Sequence, residues 1–500
     1  MAFKSSLLLP LAKLTARRIQ RWRTDPFGSQ RAVFQDLIKK GDKTAFGKKH
    51  GFEKIKDYES FKQQVPIRDY EGLKPWIERI KKGELDVLWP GRPKYFAKTS
   101  GTTSGVKYIP LTRASMPNHF GTARKALFNH VAQTGRADWV DGKLIFLSGS
   151  PVLELVSNIP TGRLSGIVNH EIPAWLKRSQ MPSFDTNCME EWEEKLEAIV
   201  DETLQQDMRL ISGIPPWVQM YYERLLERTG KSTVKEIFPN FSMFVYGGVN
   251  FEPYRASLET LVGQRLDTVE TYPASEGFIA FQDIPDERGL LLNVHSGIFF
   301  EFVLADEIFN ERPSRLSLAD VELGVNYAII LSTTAGLWSY NIGDTVEFVS
   351  LNPFRVVVTG RVKHFISAFG EHVIGKEVDE AMLSVSKEMG INIVEFSVAP
   401  QVSPRKGELP YHEWLVEFEK TPGNLSEMAQ RIDERMIRQN IYYADLIKGK
   451  ILQPLKIKAL QKDAFRNYMK SKGKLGGQNK VPRLSNDREI AKELQKYVLP

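Results

Sequence analysis

The period of the apolar positions changes twice along the chain. Over the first hundred residues they recur at helical spacing between basic loops, and this region ends at the turn-forming run Pro90-Gly91-Arg92-Pro93. Short apolar runs then alternate with helical stretches. Strands are predicted over 94–98, 144–147, 209–212, 243–246 and 268–271, with helices over 113–133 and 217–226. Such alternation predicts an α/β body with a substantially parallel sheet. Between 290 and 358 the helical spacing disappears and strands crowd together at 299–303, 327–331, 346–349 and 356–359. That pattern predicts an antiparallel sheet or distorted barrel beside the first layer. After Gly360 strands over 392–399 and 414–419 accompany a helical face made of Leu425, Met428, Ile432, Met436 and Ile437. The expectation is a large multi-layer α/β domain over 1–360 and a small, mobile α+β domain over 361–500.

Composition narrows the picture only slightly. A chain of 500 residues, 42% hydrophobic, can bury more than one core. Cys188 is the single cysteine, which excludes an internal disulfide framework and fits a reducing compartment. The net charge of +7 comes from 68 basic against 61 acidic residues, a mixed surface that does not call for nucleic acid as a partner. Lys448, Lys450, Lys456, Lys458 and Lys462 cluster, and a solvated basic face accounts for them. Near the amino end, Ser5 to Ala12 has the look of a short signal-like apolar run. Lys13, Arg17, Arg18, Arg21 and Arg23 follow at once, so an amphipathic helix packed on the body is predicted. No run of 18 apolar residues occurs, so no membrane span and a cytoplasmic location are expected. The histidines show no metal-ligand spacing, and no Gly-x-Ser-x-Gly elbow supports a serine hydrolase.

Four glycine-bearing polar stretches carry candidate chemistry. The first is Ser100-Gly101-Thr102-Thr103-Ser104-Gly105-Val106-Lys107. Its glycines let backbone approach a ligand, its hydroxyls and N–H groups can wrap an anion, and Lys107 adds a point charge. The spacing fails the Walker pattern, which disfavours an ordinary P-loop enzyme. A Ser/Thr/Gly-rich surface loop is the plainer alternative. The second, Tyr246-Gly247-Gly248, follows an apolar strand and suits either a flat ring lying on backbone or a tight turn. In the third, Tyr272-Pro273-Ala274-Ser275-Glu276-Gly277, Tyr272 can stack on a base, Ser275 can donate to phosphate and Glu276 can hold Mg²⁺. A capped loop with a surface glutamate fits equally. The fourth pairs Tyr340-Asn341-Ile342-Gly343-Asp344 with Gly360-Arg361-Val362-Lys363. Asp344 is suited to a ribose diol and Arg361 to the same sugar or a phosphate, while a hairpin turn at Gly-Asp is the bland alternative.

Taken in order, the first stretch, the third and the two halves of the fourth resemble the motifs of the acyl-adenylate-forming superfamily, and in form those of the auxin-responsive-promoter family of acyl-acid amido synthetases. The resemblance runs from about Tyr95 to Arg483 and closes on Gly477-Gln478-Asn479-Lys480-Val481-Pro482-Arg483. It implies a ligase that uses ATP and Mg²⁺ to join a small carboxylic acid to an amino acid or another amine. It further implies that Ser100, Gly101, Thr102, Thr103 and Lys107 hold the β/γ-phosphates, and that Gly247, Gly248 and Tyr272 surround adenine. Ser275 then lies near the α-phosphate, Glu276 holds the metal, and Asp344 with Arg361 takes the ribose. Lys363 is the implied hinge and Lys480 the implied mobile catalytic lysine, with Lys474 as its alternative. The acyl pocket is expected between 117 and 217, around Ser148-Gly149-Ser150, Leu164-Ser165-Gly166 and Pro215-Pro216-Trp217. An acyl-CoA ligase and a nucleotide-binding sensor without turnover are the competing functions.

Overall fold

The computed structural model describes residues 3–100, 106–172, 174–189, 191–248, 251–362, 365–366, 373–402, 404, 408–448, 452–475, 480–485 and 488–500. Contacts divide the chain into two compact units, Met1–Gly248 with Leu261–Val357, and Val249–Thr260 with Val358–Pro500. The sequence pattern places a division at 360/361 and gives no hint that 249–260 belongs with the second unit.

The larger unit is built on two sheets. A small one contains β1 (Tyr95–Ser100), β2 (Val106–Leu111), β4 (Glu154–Val156) and β5 (Ile159–Gly162) in the order β2-β1-β5-β4. The main sheet draws on β3 (Lys143–Phe146), β6 (Gln180–Met181), β7 (Met208–Ser212), β8 (Met243–Gly247) and β9 (Asp267–Ala274). It continues through β10 (Gly277–Phe281), β11 (Leu290–Leu292), β12 (Ile298–Leu304), β13 (Asn326–Thr333), β14 (Tyr340–Leu351) and β15 (Phe354–Arg361). The order is β12-β13-β14-β15-β11-β10-β9-β8-β7-β3-β6. Strands β6, β3, β7, β8 and β9 are parallel neighbours, and β9 then pairs antiparallel with β10. The expected parallel and antiparallel parts are thus one continuous sheet, joined at the β9–β10 hairpin. Its interior strands read as nearly unbroken apolar runs because both faces are covered; all five residues of β10 and all but one of β13 are buried.

The amino-terminal helix Phe3–Thr24 packs along the helix Met116–Thr134, burying Leu8, Ala12, Ile19 and Trp22, whose spacing sets one face. Among the described residues no helix is long and apolar enough to cross a membrane.

In the smaller unit, β16 (Phe365–Ile366) pairs with β17 (Val373–Ile374), and β18 (Ile393–Gln401), β19 (Tyr411–Phe418) and β20 (Lys456–Leu460) form a three-stranded sheet. Helices Gly375–Met389 and Leu425–Gln439 bury Val378, Met382, Met428, Ile432 and Met436 in its core, with Phe396 stacked on Trp414 at 5.7 Å. The predicted stripe on Leu425–Gln439 is the face that is buried. Lys456 and Lys458, expected on a basic face, share one face of β20 and are half-buried.

Candidate functional site

In a parallel sheet every strand delivers its carboxyl end to one edge, and ligands gather in the crevice outside that edge. Here β3, β7, β8 and β9 run parallel, so the loops after Phe146, Ser212, Gly247 and Ala274 leave on the same side. That one fact of topology brings together Ser148-Gly149-Ser150, Pro215-Pro216-Trp217, Gly247-Gly248 and Ser275-Glu276.

Each member has a local reason for its position. Gly247 stands opposite Thr271, and a Cβ there would come within 2.3 Å of Thr271 O, so close approach of β8 to β9 demands glycine. Thr271 Oγ1 reinforces the contact by donating to Tyr246 O at 2.9 Å. Gly248 has φ +87, a conformation that excludes most side chains. Ala274 pairs with Gly277, which makes Ser275-Glu276 the two-residue tip of the β9–β10 hairpin, with both residues half-buried. Asn118 holds this hairpin from behind. Its amide accepts from Phe278 N at 2.7 Å and donates to Phe278 O at 3.1 Å, as a neighbouring strand would.

Asp344 is not in a hairpin turn. Ala328 pairs with Thr345 and Ile330 with Asn341, so Ile329 alone stands opposite Ile342, Gly343 and Asp344. The Gly-Asp pair is a bulge inside a twelve-residue strand, with Gly343 at φ +86 and its N–H donated to Asn341 Oδ1 at 2.8 Å. Bulges re-aim side chains beside functional sites. This one brings Asp344 to Tyr272, whose hydroxyl donates to Asp344 Oδ2 at 2.8 Å. Two residues 72 apart in sequence, both singled out for a nucleotide, are thereby in direct contact. The strand is anchored just before the bulge by Ser339 (φ +44), whose Oγ donates to Glu301 Oε2 at 2.8 Å. Glu301 in turn is ion-paired with Arg315, and both side chains are buried.

The third cluster surrounds Ser148. Gly149 N donates to Ser165 Oγ at 3.2 Å, and Asn169 Nδ2 donates to Ser148 Oγ at 3.1 Å. Two of the three stretches expected around an acyl group therefore share hydrogen bonds. Beneath them Lys195, from helix Trp192–Thr203, donates to Ser148 O at 3.1 Å and Asn187 O at 2.8 Å. Burial holds the pKa of its ammonium down to about 8. Trp217 is buried against Trp192, with ring centroids 5.2 Å apart.

Gly101, Thr102, Thr103 and Lys363 lie outside the described residues, as does the side chain of Ser100. The strands flanking the first loop are described: Ser100 pairs with Val106 and Thr99 with Lys107, and Lys107 Nζ stands 5.7 Å from the Tyr70 ring. Arg361 ends β15 and is exposed, as is Lys480 in the second unit. Asn118 and Lys195 escape a reading based on motifs. A charged residue on a largely apolar helical face is the trace of Lys195 in sequence, whereas Asn118 shares its buried face with other polar residues.

Three family models match the chain: the GH3 family N-terminal domain over 15–183 and 150–266, the central domain over 291–361, and the C-terminal domain over 376–489. Indole-3-acetic acid-amido synthetase GH3.3 of Arabidopsis thaliana is 22% identical, with 91% of this chain and 88% of that one covered. Jasmonoyl--L-amino acid synthetase JAR4 of Nicotiana attenuata is also 22% identical, over 64% of this chain and 66% of its own. Among solved structures, the GH3.15 acyl acid amido synthetase in complex with 2,4-DB aligns over 98% of this chain and 96% of its own, at TM-score 0.79 and 16% identity. A 2-hydroxyisobutyryl-CoA ligase in the postadenylation state aligns over 99% and 93%, at TM-score 0.57 and 12% identity. At these identities the structural likeness speaks to the fold alone.

Proposed function

The chain belongs to the GH3 family, and from that premise we propose that it is an ATP-dependent acyl-acid amido synthetase. A carboxylate attacks the α-phosphorus of ATP, forming acyl-AMP and releasing pyrophosphate. An amino-acid amine then attacks the activated carbonyl, the amide forms, and AMP leaves. The observation that carries this reading is the Tyr272–Asp344 contact at the sheet edge that also bears Gly247, Ser275 and Glu276.

In the proposed roles, Gly247 and Gly248 give adenine a backbone floor, Tyr272 borders it, and Asp344 accepts from the ribose diol. Ser275 donates toward the α-phosphate. Ser100, Gly101, Thr102, Thr103 and Lys107 grip the β/γ-phosphates, and Arg361 adds a fork of donors at the ribose. Lys480 neutralises charge that builds on the carboxylate and α-phosphate, and the small unit turns about Lys363 between half-reactions. Such chemistry is mostly positioning and charge stabilisation, so no activated protein nucleophile is needed.

Mg²⁺ fits the donor set. Among the described residues no group of three His, Cys, Asp or Glu side chains forms a dedicated cage. A phosphate-bound Mg²⁺ needs only one or two carboxylates, and Glu276 at the hairpin tip supplies one. When bound, the metal screens the phosphate charges. The Ser148–Ser165–Asn169 cluster and Trp217 are the proposed acyl-side wall.

Acid-dependent exchange of labelled pyrophosphate into ATP tests the first half-reaction. Supplying amino acids or coenzyme A to the adenylated enzyme then separates an amide synthetase from a thioester-forming ligase. Binding of ATP without exchange for any acid would leave a sensor and reject the enzyme.

A further inference from the structure

Arg483 lies three residues beyond Lys480, and its guanidinium is hydrogen-bonded at several points within the second unit. Its Nε donates to Asp379 Oδ1 at 2.9 Å, and its Nη1 donates to Glu395 and to Phe396 O. Tyr254 closes the cluster, donating its hydroxyl to Glu395 Oε2 at 3.0 Å. The guanidinium also lies 4.2 Å from the Phe396 ring centroid. Burial alone would lower the pKa of Arg483, but Glu395 and Asp379 outweigh it and hold the group charged.

The backbone around Arg483 is fixed to the same strand. Val398 N donates to Arg483 O at 2.8 Å, Ser485 N donates to Val398 O at 3.1 Å, and Ser397 Oγ donates to Pro482 O at 2.8 Å. Residues 482–485 thus run beside β18 in a parallel bridge at Val398 and Leu484. One guanidinium spans three separate pieces of chain: the helix Gly375–Met389, strand β18 and the segment containing Tyr254, whose hydroxyl lies 3.5 Å from Nη2. A planar fork can do this where a lysine ammonium cannot.

We propose that Arg483 is a positioning residue for adenylation: its clamp on Asp379, Glu395 and Tyr254 fixes the point from which Lys480 leaves the sheet. The inference rests on the reading of Lys480 as the lysine that meets the acyl carboxylate and α-phosphate. A charge-neutralising ammonium is useful only within a small volume, and a misplacement of about 1 Å can cost about 100-fold in rate. The clamp makes the root of Lys480 rigid, so that domain rotation delivers it to one place.

The test combines kinetics with hydrogen exchange on the full chain. Arg483→Lys keeps the charge and loses the fork. Peptides covering 482–485 should then exchange amide protons at least about 10-fold faster, while those in the Phe396–Trp414 core do not. Unchanged protection at 482–485 overturns the clamp whatever the kinetics show. Pyrophosphate exchange is measured with indole-3-acetate, benzoate and hexanoate as the probe acids. The turnover of Arg483→Lys should fall by about 100-fold with the KM for ATP little changed. In a Lys480→Ala background, Arg483→Lys should cause no further loss, because it acts only through the ammonium that is gone. A loss of the same factor in both backgrounds means general structural damage and rejects the positioning role. If Lys480→Ala itself retains full exchange, the reading of Lys480 fails, and the positioning role falls with it. Should Arg483→Lys not fold, Glu395→Gln carries the same cycle, with the same outcomes deciding.

Discussion

Replacing Lys195 with methionine tests the buried end of the site. Lys195 is 3% exposed, and its ammonium bridges Ser148 O and Asn187 O. Burial lowers its pKa to about 8 from an ordinary 10.5. A base depressed in the folded state holds its proton less tightly there than in the unfolded chain. Between about 8 and 10.5 the unfolded state therefore binds more protons, and stability rises with pH across that window. The whole gap corresponds to about 3 kcal/mol. Methionine has no proton to lose. The unfolding free energy of wild type minus that of Lys195→Met should therefore climb by about 2–3 kcal/mol between about pH 7 and pH 10. Urea unfolding of both proteins in matched buffers measures this, because groups common to both cancel in the difference. A difference that stays flat or falls with pH refutes the buried-ammonium argument. Loss of the Ser148 anchor should also raise the KM for the acid by about 5-fold while sparing that for ATP. Equal effects on both would remove Lys195 from the acyl side.

Three further substitutions address the nucleotide side. Asp344→Ala removes the partner of Tyr272 and the proposed ribose acceptor; ATP affinity by calorimetry should weaken by about 10–100-fold, and an unchanged affinity would contradict the assignment. Lys480→Ala should depress pyrophosphate exchange by about 100–1,000-fold but amide formation from a supplied acyl-adenylate much less; equal losses would reject a role confined to adenylation. Gly247→Ala places a methyl within 2.3 Å of the Thr271 carbonyl, a backbone atom that cannot step aside. It should cost about 1–3 kcal/mol in thermal or urea unfolding, and wild-type stability would show that β8 and β9 can separate freely.

Much of the fold was legible because hydrophobic period survives in single sequences. The stripe Met428, Ile432, Met436 is the buried face of its helix, and the loss of helical spacing after 290 marks the antiparallel half of the main sheet. The joint between the halves was not legible. It depends on β10 pairing with β9, and Gly277–Phe281 has no alternation to distinguish a central strand from a buried helical turn. The same limit hid helix Glu252–Val262, whose Tyr254 belongs with Glu395 and Arg483 far along the chain.

The motifs were legible as an ordered set, and the family found for the chain agrees with that reading. Their local geometry was less so. The Gly343-Asp344 pair looks like a hairpin turn until the register of β13 shows a bulge. Gly247 suits either a flat ring on backbone or a tight turn, yet its close approach to Thr271 accounts for it without either. Asn118 and Lys195 were invisible because their work is done on carbonyls and N–H groups of distant segments, which leave no spacing rule in sequence.

The proposed reaction activates a carboxylic acid as its adenylate and passes it to an amine. Pyrophosphate exchange over a panel of acids, followed by addition of amino acids to the enzyme with its best acid, measures both halves in one experiment. Acid-dependent exchange is expected, then release of AMP matched mole for mole by an amide. Exchange that ends in a thioester with coenzyme A and yields no amide, or ATP binding without exchange for any acid, would contradict it.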